Sequence, residues 1–344
     1  MANPDSTEPP LPPVERVRPG LWSVPVPIPD NPLRYVLVYA FESERGPYLV
    51  DAGWNTDEAY ETLVSGLALA GFDVRDVKGV LVTHIHPDHY GLAGRIREAS
   101  GAWVALHPAD ASLIESRYGD PDQLLELMAT MLRRDGAPAD EITSLQNASM
   151  PIRSFVWAAA PDILMEDGDK PEVPGWDLTA IWTPGHSPGH LCFYEAGNRV
   201  MLSGDHVLPR ITPNISFHPQ AGPDPLGDFL ASLDKVGAFD ASEVLPAHEH
   251  RFANLRERVA ELRAHHQARF DEVIAAIRDG VTTTWGIAGR MTWNRPWDQI
   301  QGWMRRAAVG ETLAHLHHLE KMGIVREEVG EPSRWEAVET ATRA

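Results

Sequence analysis

The feature that most constrains this chain is a short run in which a β-rich stretch, Gly79-Val80-Leu81-Val82-Thr83, passes directly into His84-Ile85-His86-Pro87-Asp88-His89. Imidazoles and a carboxylate crowded on one loop at the end of a strand suit a metal site, because neutral imidazole and carboxylate are preferred ligands of zinc and similar ions. Alternate residues His84 and His86 can face one ion while Asp88 and His89 turn to another. A fold built on such a loop must bring further ligands from elsewhere in the chain. Later apolar runs end in three candidates: His186 in Thr-Pro-Gly-His-Ser, Asp205 in Ser-Gly-Asp-His and His248 in Leu-Pro-Ala-His. The single cysteine, Cys192, allows neither an intramolecular disulfide nor a thiolate zinc site, so any ion is held by His and carboxylate.

Around these runs, strand and helix signals alternate in the manner of a mixed α/β layer structure. Tyr35–Phe41 and Pro47–Val50 read as consecutive strands and residues 57–70 as a helix. Trp103–Leu106, Leu178–Trp182, Leu191–Tyr194, Arg199–Leu202 and Glu243–Pro246 read as further strands. A length of 344 residues, 43% of them apolar, predicts about two domains. We divide the chain into a Pro-rich flexible tail (1–18), a catalytic domain (19–253) carrying a helical insertion at 109–150, and a linking helix with a small helical domain (254–344). The clearest element of the last is Glu311 to Met322, with Leu313, Leu316 and Leu319 three apart, then Gly323 and a short β signal; the order suggests a winged-helix-like unit. Residues 305 and 306, both arginine, precede that element.

The ordered set Thr-His-Ile-His-Pro-Asp-His, Pro-Gly-His, Ser-Gly-Asp and Pro-Ala-His resembles the metallo-β-lactamase superfamily, in particular its hydrolase branch that includes glyoxalase II. The insertion and C-terminal region resemble the sub-branch of lactamase-beta-like endoribonucleases and several thioesterases. The resemblance implies an αββα sandwich. It assigns His84, His86 and His186 to a first metal, Asp88, His89 and His248 to a second, and Asp205 as a bridge, with Asp51 orienting the ligand loop. It also implies two divalent ions, zinc first and manganese or iron as alternatives, and a metal-bridging hydroxide aligned by Asp88. Redox members of the superfamily carry Glu where this chain has His86, so hydrolysis is expected rather than oxygen chemistry.

Four residues near these motifs are weaker candidates for substrate contact: His206, His250, Tyr194 and Arg210, the last able to pair with an acidic substrate group. The remaining histidines, among them His107, His190, His218, His266 and His315, are read as packed or surface side chains. Cys192 reads as a small buried hydrophobe. A net charge of −19 opposes a large phosphate-binding surface, and the 311–322 helix lacks an Arg/Lys stripe, so nucleic acid is not the expected partner. No run approaches the roughly 18 apolar residues of a membrane helix. The N-terminus does not read as a signal peptide, and the expected location is the cytoplasm. The insertion's Leu124, Leu125, Met128, Met131 and Leu132 suit a lid over the acyl part of an ester, thioester or lactone, or else a homodimer contact or an extension of the core. A ribonuclease acting on single-stranded RNA and a non-catalytic metal-stabilised binding protein are the alternatives.

Overall fold

The computed structural model describes residues 9–148 and 150–338. An antiparallel meander of β1 (Glu15–Arg18), β2 (Leu21–Pro27), β3 (Tyr35–Phe41) and β4 (Tyr48–Val50) leads through α1 (Asp57–Leu69), β5 (Gly79–Leu81), α2 (Pro87–Tyr90), α3 (Ala93–Ser100) and β6 (Trp103–Leu106). The helices α4 (Pro108–Ala111), α5 (Asp122–Arg134) and α6 (Ala139–Gln146) then intervene before β7 (Ile163–Leu164). These seven strands form one sheet in chain order, antiparallel as far as β4 and parallel from β4 onward. A second sheet of β8 (Leu178–Trp182), β9 (Leu191–Glu195), β10 (Val200–Gly204) and β11 (Glu243–Pro246) has the order β11-β10-β9-β8. Its parallel β10–β11 pair is joined through α7 (Pro225–Gly237). The chain continues into α8 (Leu255–Arg278), α9 (Thr284–Ala288), α10 (Gly302–Lys321) and the hairpin of β12 (Val325–Glu328) and β13 (Arg334–Ala337).

Strand periodicity explains the layering. Leu37, Tyr39 and Phe41 of β3 face the second sheet, where they meet Ala180, Leu191, Phe193 and Leu202. Val36, Val38 and Ala40 face the other way, onto Leu63 and Leu67 of α1 and Ile96 of α3. On β9, Cys192 points outward to Phe229 and Leu233 of α7. Burial pushes its thiol up to about 12, which keeps it a packing group. The result is the expected helix–sheet–sheet–helix sandwich. Among the described residues no helix is long and apolar enough to cross a membrane.

Three expectations shift. Order reaches back into the proposed tail, because Glu15–Arg18 pairs with β2 and is tied to the second sheet's end by Arg18–Glu243 at 2.8 Å and by Arg251 to Glu15 and Glu243. Residues 1–8 of that tail lie outside the described residues. The C-terminal helix starts at Gly302 rather than Glu311, so Arg305 and Arg306 are part of it. Gly310, inside the helix, serves close packing, since a Cβ there would lie 2.9 Å from the Phe217 carbonyl oxygen. Finally, the C-terminal helices are not set apart: Leu262, Phe270, Leu313 and Leu316 share one core with Phe229, Leu233 and Val244. Met128 and Leu132 of α5 and Leu145 of α6 pack against Trp285 of α9, so much of the insertion's apolar face is covered by that unit.

Candidate metal centre

Every proposed ligand lies just beyond the C-terminal end of a strand, on one rim of the sandwich. The loop after β5 supplies His84, His86, Asp88 and His89, the turns after β8 and β10 supply His186 and Asp205, and the end of β11 supplies His248. Pro87 opens α2 at a position where its missing N–H costs nothing, and the short helix turns Asp88 and His89 inward. Three groups of donor atoms result: His84, His86 and His186; His84, His89 and Asp205; and Asp88, His89 and His248. Within each group the atoms lie within 4.8 Å of one another. Asp205 stands between the two outer groups, with Oδ1 at 3.2 Å from His248 Nε2 and 3.5 Å from His89 Nε2, and Oδ2 at 3.4 Å from His186 Nε2. Asp88 Oδ2 faces His248 Nε2 at 3.3 Å and His89 Nε2 at 3.5 Å.

The far sides of the rings are fixed. His89 Nδ1 contacts Asp51 Oδ2 at 2.8 Å, His186 Nδ1 the Asn214 carbonyl at 2.9 Å, and His248 Nδ1 the Tyr35 carbonyl at 2.9 Å. Each such partner selects the tautomer that leaves Nε2 facing the centre as a ligand, the arrangement typical of metal-binding histidines. Those Nε2 atoms and Asp205 Oδ1 are buried with no hydrogen-bond partner among the described residues. Orphaned buried polar atoms of this kind are costly unless something occupies the space between them. The donor set fits divalent metal ions.

Asp51 lies behind the ligands. It sits at the end of β4 with φ 64°, and its carboxylate accepts from the Thr83 amide at 2.8 Å and the Thr83 hydroxyl while holding His89. Thr83 Oγ1 in turn contacts His84 Nδ1 at 3.0 Å, so one aspartate aligns ligands on both sides of the loop.

The electrostatics divide the same way. Burial, joined by neighbouring imidazoles, holds His84 and His86 well below the usual histidine range. Burial also acts against a charged His248, but Asp205 and Asp88 outweigh it and push that ring up to about 10. His89 is raised in the same manner by Asp88, Asp51 and Asp205. Both carboxyls, Asp88 and Asp205, are held below the usual carboxylate range by His89 and His248 despite burial. The carboxylates therefore favour positive charge in the space between these groups, which a bound cation would supply.

The weaker candidates fall elsewhere. His206 is buried, its ring packed between His190 and Phe229 with centroids 5.9 and 5.0 Å away, and burial pushes it down to about 3. Tyr194 points to the outer face of the second sheet, where its hydroxyl donates to the Asp240 carbonyl at 3.1 Å. Arg210 is at the rim but ion-paired with Glu249 at 3.2 Å, and His250 is exposed on the turn after His248.

Two positioning residues escape sequence reasoning. Asp110, at the start of the insertion, accepts from the Ile85 amide at 2.9 Å, the Ser187 hydroxyl at 2.8 Å and the Gly189 amide at 2.7 Å. It thereby clamps the His84–His86 loop to the His186 loop. Nothing distinguishes it in sequence from an ordinary helix-starting aspartate after His107-Pro108. His190 lies below the centre, with Nδ1 on the Thr183 hydroxyl at 2.7 Å and Nε2 accepting from the Asp205 amide at 3.2 Å. Its position four residues after His186 is the available signal.

The family model described as the metallo-beta-lactamase superfamily matches residues 31–248, a span that begins before Asp51 and ends on His248. A crystal structure of a metallo-beta-lactamase family protein from Thermus thermophilus superimposes with a TM-score of 0.81 at 33% identity, covering 94% of this chain and 100% of that one. A beta-lactamase domain protein from Burkholderia ambifaria gives 0.79 at 26% identity, covering 97% of each chain. In sequence, a probable metallo-hydrolase of Bacillus subtilis, YqjP, is 27% identical over 247 residues, 66% of this chain and 75% of that protein. With the ligand geometry and the matched span in agreement, this chain belongs to the metallo-β-lactamase superfamily.

Proposed function

We propose that the protein is a hydrolase that binds two divalent metal ions, most simply zinc, and cleaves an ester, thioester or lactone at its acyl carbon. The observation that carries this reading is the pair of outer ligand groups, His84/His86/His186 and Asp88/His89/His248, with Asp205 between them. Metal ions bound in those groups would supply a water acidified toward neutrality and a positive charge to polarise a carbonyl. The chain's own residues do the rest. Asp88 turns Oδ2 toward His89 and His248, which leaves Oδ1 to accept a hydrogen bond from the attacking water and align it. Asp51, Asp110 and His190 hold the ligand loops at fixed spacing, so that little reorganisation accompanies the reaction. The chain's acidity, and the pairing of Arg305 with Glu141 at 3.0 Å, favour a small acyl substrate over RNA.

The test is thiol release from a panel of short acyl thioesters by protein reconstituted with zinc or manganese, with Asp88→Asn as matched control. We expect turnover that falls at least about 10²-fold in the variant. Equal inactivity of both proteins with metal bound would remove the thioester reading and turn the search to lactones, other esters and then RNA.

A further inference from the structure

The side of the centre nearest His86 is walled by three separate elements: the turn 115–119 of the insertion, the loop between Asp205 and α7, and α10. Hydrogen bonds lock them together. Tyr118 donates to the Ile85 carbonyl, between two ligands, at 2.6 Å; Gln220 donates to Ser116 Oγ at 2.9 Å; Ser216 donates to the Ala307 carbonyl at 3.0 Å; and Arg306 donates to the Leu145 carbonyl at 3.3 Å. From these walls Arg117, His218 and Arg306 converge. Arg117 lies between Ser116, which is bonded to Gln220 two residues beyond His218, and Tyr118, which is bonded to the ligand loop, while Arg306 adjoins Ala307, which is bonded to Ser216; Arg117 and Arg306 both oppose a charge on His218. At His218, burial, Arg117, Arg306 and His186 all act in one direction.

Two guanidiniums and an imidazole brought this close together are unusual in a chain of net charge −19. Arg117 is half-buried, and its guanidinium has no hydrogen bond or ion pair among the described residues. A partly desolvated guanidinium, a rigid fork of donors, is most stable against a carboxylate or phosphate-like group. His218 also lines a cavity of about 170 Å³ together with His186, Ser187, Trp182 and the carboxyl-bearing Asp228, which places this imidazole beside the metal-ligand surface. Arg210, the cation that the sequence offers for an acidic substrate, is already committed to Glu249.

We infer that Arg117, flanked by His218 and Arg306, forms a subsite for an anionic substituent of the substrate, held on the His86/His186 side of the metal centre. Arg117 is the specificity-determining residue. This rests on the proposed acyl hydrolysis for its substrate class, while the anion binding itself does not require turnover.

The experiment uses three thioesters with the zinc-loaded protein: an acetyl and a glutaryl thioester of one neutral thiol, and the acetyl thioester of 3-mercaptopropionate. The second places the anion on the acyl part and the third on the leaving group. Wild type is expected to prefer one anionic thioester over the neutral one in kcat/KM. Arg117→Gln is expected to cut that preference about tenfold to a hundredfold, the scale of one hydrogen bond to a charged group. A ratio of rates within one variant is insensitive to how much of it folds, and Arg117→Lys should restore part of the ratio. In parallel, glutarate binding to metal-free and zinc-loaded protein is measured calorimetrically, with the same loss expected in Arg117→Gln. Turnover of the neutral thioester with no anionic preference overturns the subsite and leaves acyl hydrolysis standing. Glutarate binding weakened by Arg117→Gln without any thioester turnover does the reverse. An unchanged ratio and unchanged glutarate affinity in Arg117→Gln overturn the proposal.

Discussion

Histidines cluster in two regions of this molecule, with opposite results. At the sandwich rim, His89, His186 and His248 meet Asp51, Asp88 and Asp205, and their Nε2 atoms converge on one space. In the C-terminal core, His266 Nδ1 and His315 Nε2 contact each other at 3.1 Å, His315 Nδ1 contacts the Glu311 carbonyl at 2.7 Å, and the aromatic rings of Phe229 and Phe270 pack against them. Burial pushes His266 down to about 2 and His315 to about 3, whereas carboxylates push His248 up to about 10. Imidazole alone is a packing group. The carboxylates that face the same space convert it into a ligand; a backbone carbonyl on the far nitrogen orients a ring in either setting, as at His315.

The largest break in this comparison is expected from Asp205→Asn, which removes the carboxylate shared by three imidazoles. Metal content after dialysis, read by atomic absorption, should fall by more than the roughly 10- to 100-fold that loss of a mere orienting partner costs. His266→Leu should leave metal content unchanged. If both variants lose metal alike, the distinction between the two clusters fails. Asp51→Asn sharpens the same contrast at intermediate size. It keeps every ligand but weakens the hold on His89, so a chelator-competition assay should show metal affinity lower by about 10- to 100-fold. An unaltered affinity would mean that the Thr83 contacts alone orient the loop.

The C-terminal cluster has its own signature in pH. Unfolded histidine protonates near 6.5, while folded His266 resists protonation to about 2, so stability contributed by the neutral ring is present above about pH 6.5 and lost as pH falls. The ring is faced by His315, His265, Arg269 and His318, all of which oppose its charging. Glu311 and Asp135, each pushed up to about 7 by burial, run the other way and gain as pH falls through 7, so the wild-type curve is a composite. The difference between wild type and His266→Leu isolates the histidine. The variant should be less stable at pH 7, with the gap narrowing by about 2 kcal/mol by pH 5 in urea titrations. A gap constant from pH 7 to pH 4 would show that His266 is solvated.

The rim is legible in sequence and the contacts made to it by Asp110 and Arg117 are not, for a physical reason. Ligands at strand ends are encoded locally: each follows an apolar run whose alternation already fixes where the strand stops, and Asp51, His84, His186, Asp205 and His248 all obey that rule. Asp110 and Arg117 act from a helical segment whose own pattern speaks only of amphipathic packing. Their roles depend on which loop lies opposite, a matter of tertiary docking that spacing does not carry. His206 shows the converse, since adjacency to Asp205 makes it a candidate while the turn after β10 sends its ring inward against Phe229. The first turns of α10 lie outside the leucine spacing that marks its later part, and the close approach of Phe217 to Gly310 within it is a tertiary contact that spacing does not carry.

Tyr194 offers the smallest and most discriminating test of that rule. It lies on β9, whose first residue, Leu191, is the one nearest the His186 loop. At about 3.3 Å per residue the tyrosine stands roughly 10 Å along the strand from the rim. Its ring packs against Phe239 with centroids 5.0 Å apart, and its hydroxyl donates to the Asp240 carbonyl just after α7, on the helix side of the sheet. Tyr194→Phe should therefore cost no more than about 1 kcal/mol in urea unfolding, the net value of one partly exposed hydrogen bond, and leave kcat/KM on the best thioester within about twofold. A tenfold loss of kcat/KM with stability intact would mean that the second sheet shifts on substrate binding to bring its outer face to the centre. The rigid rim, with its ligands oriented by partners that the fold already supplies, gives no reason for such a movement.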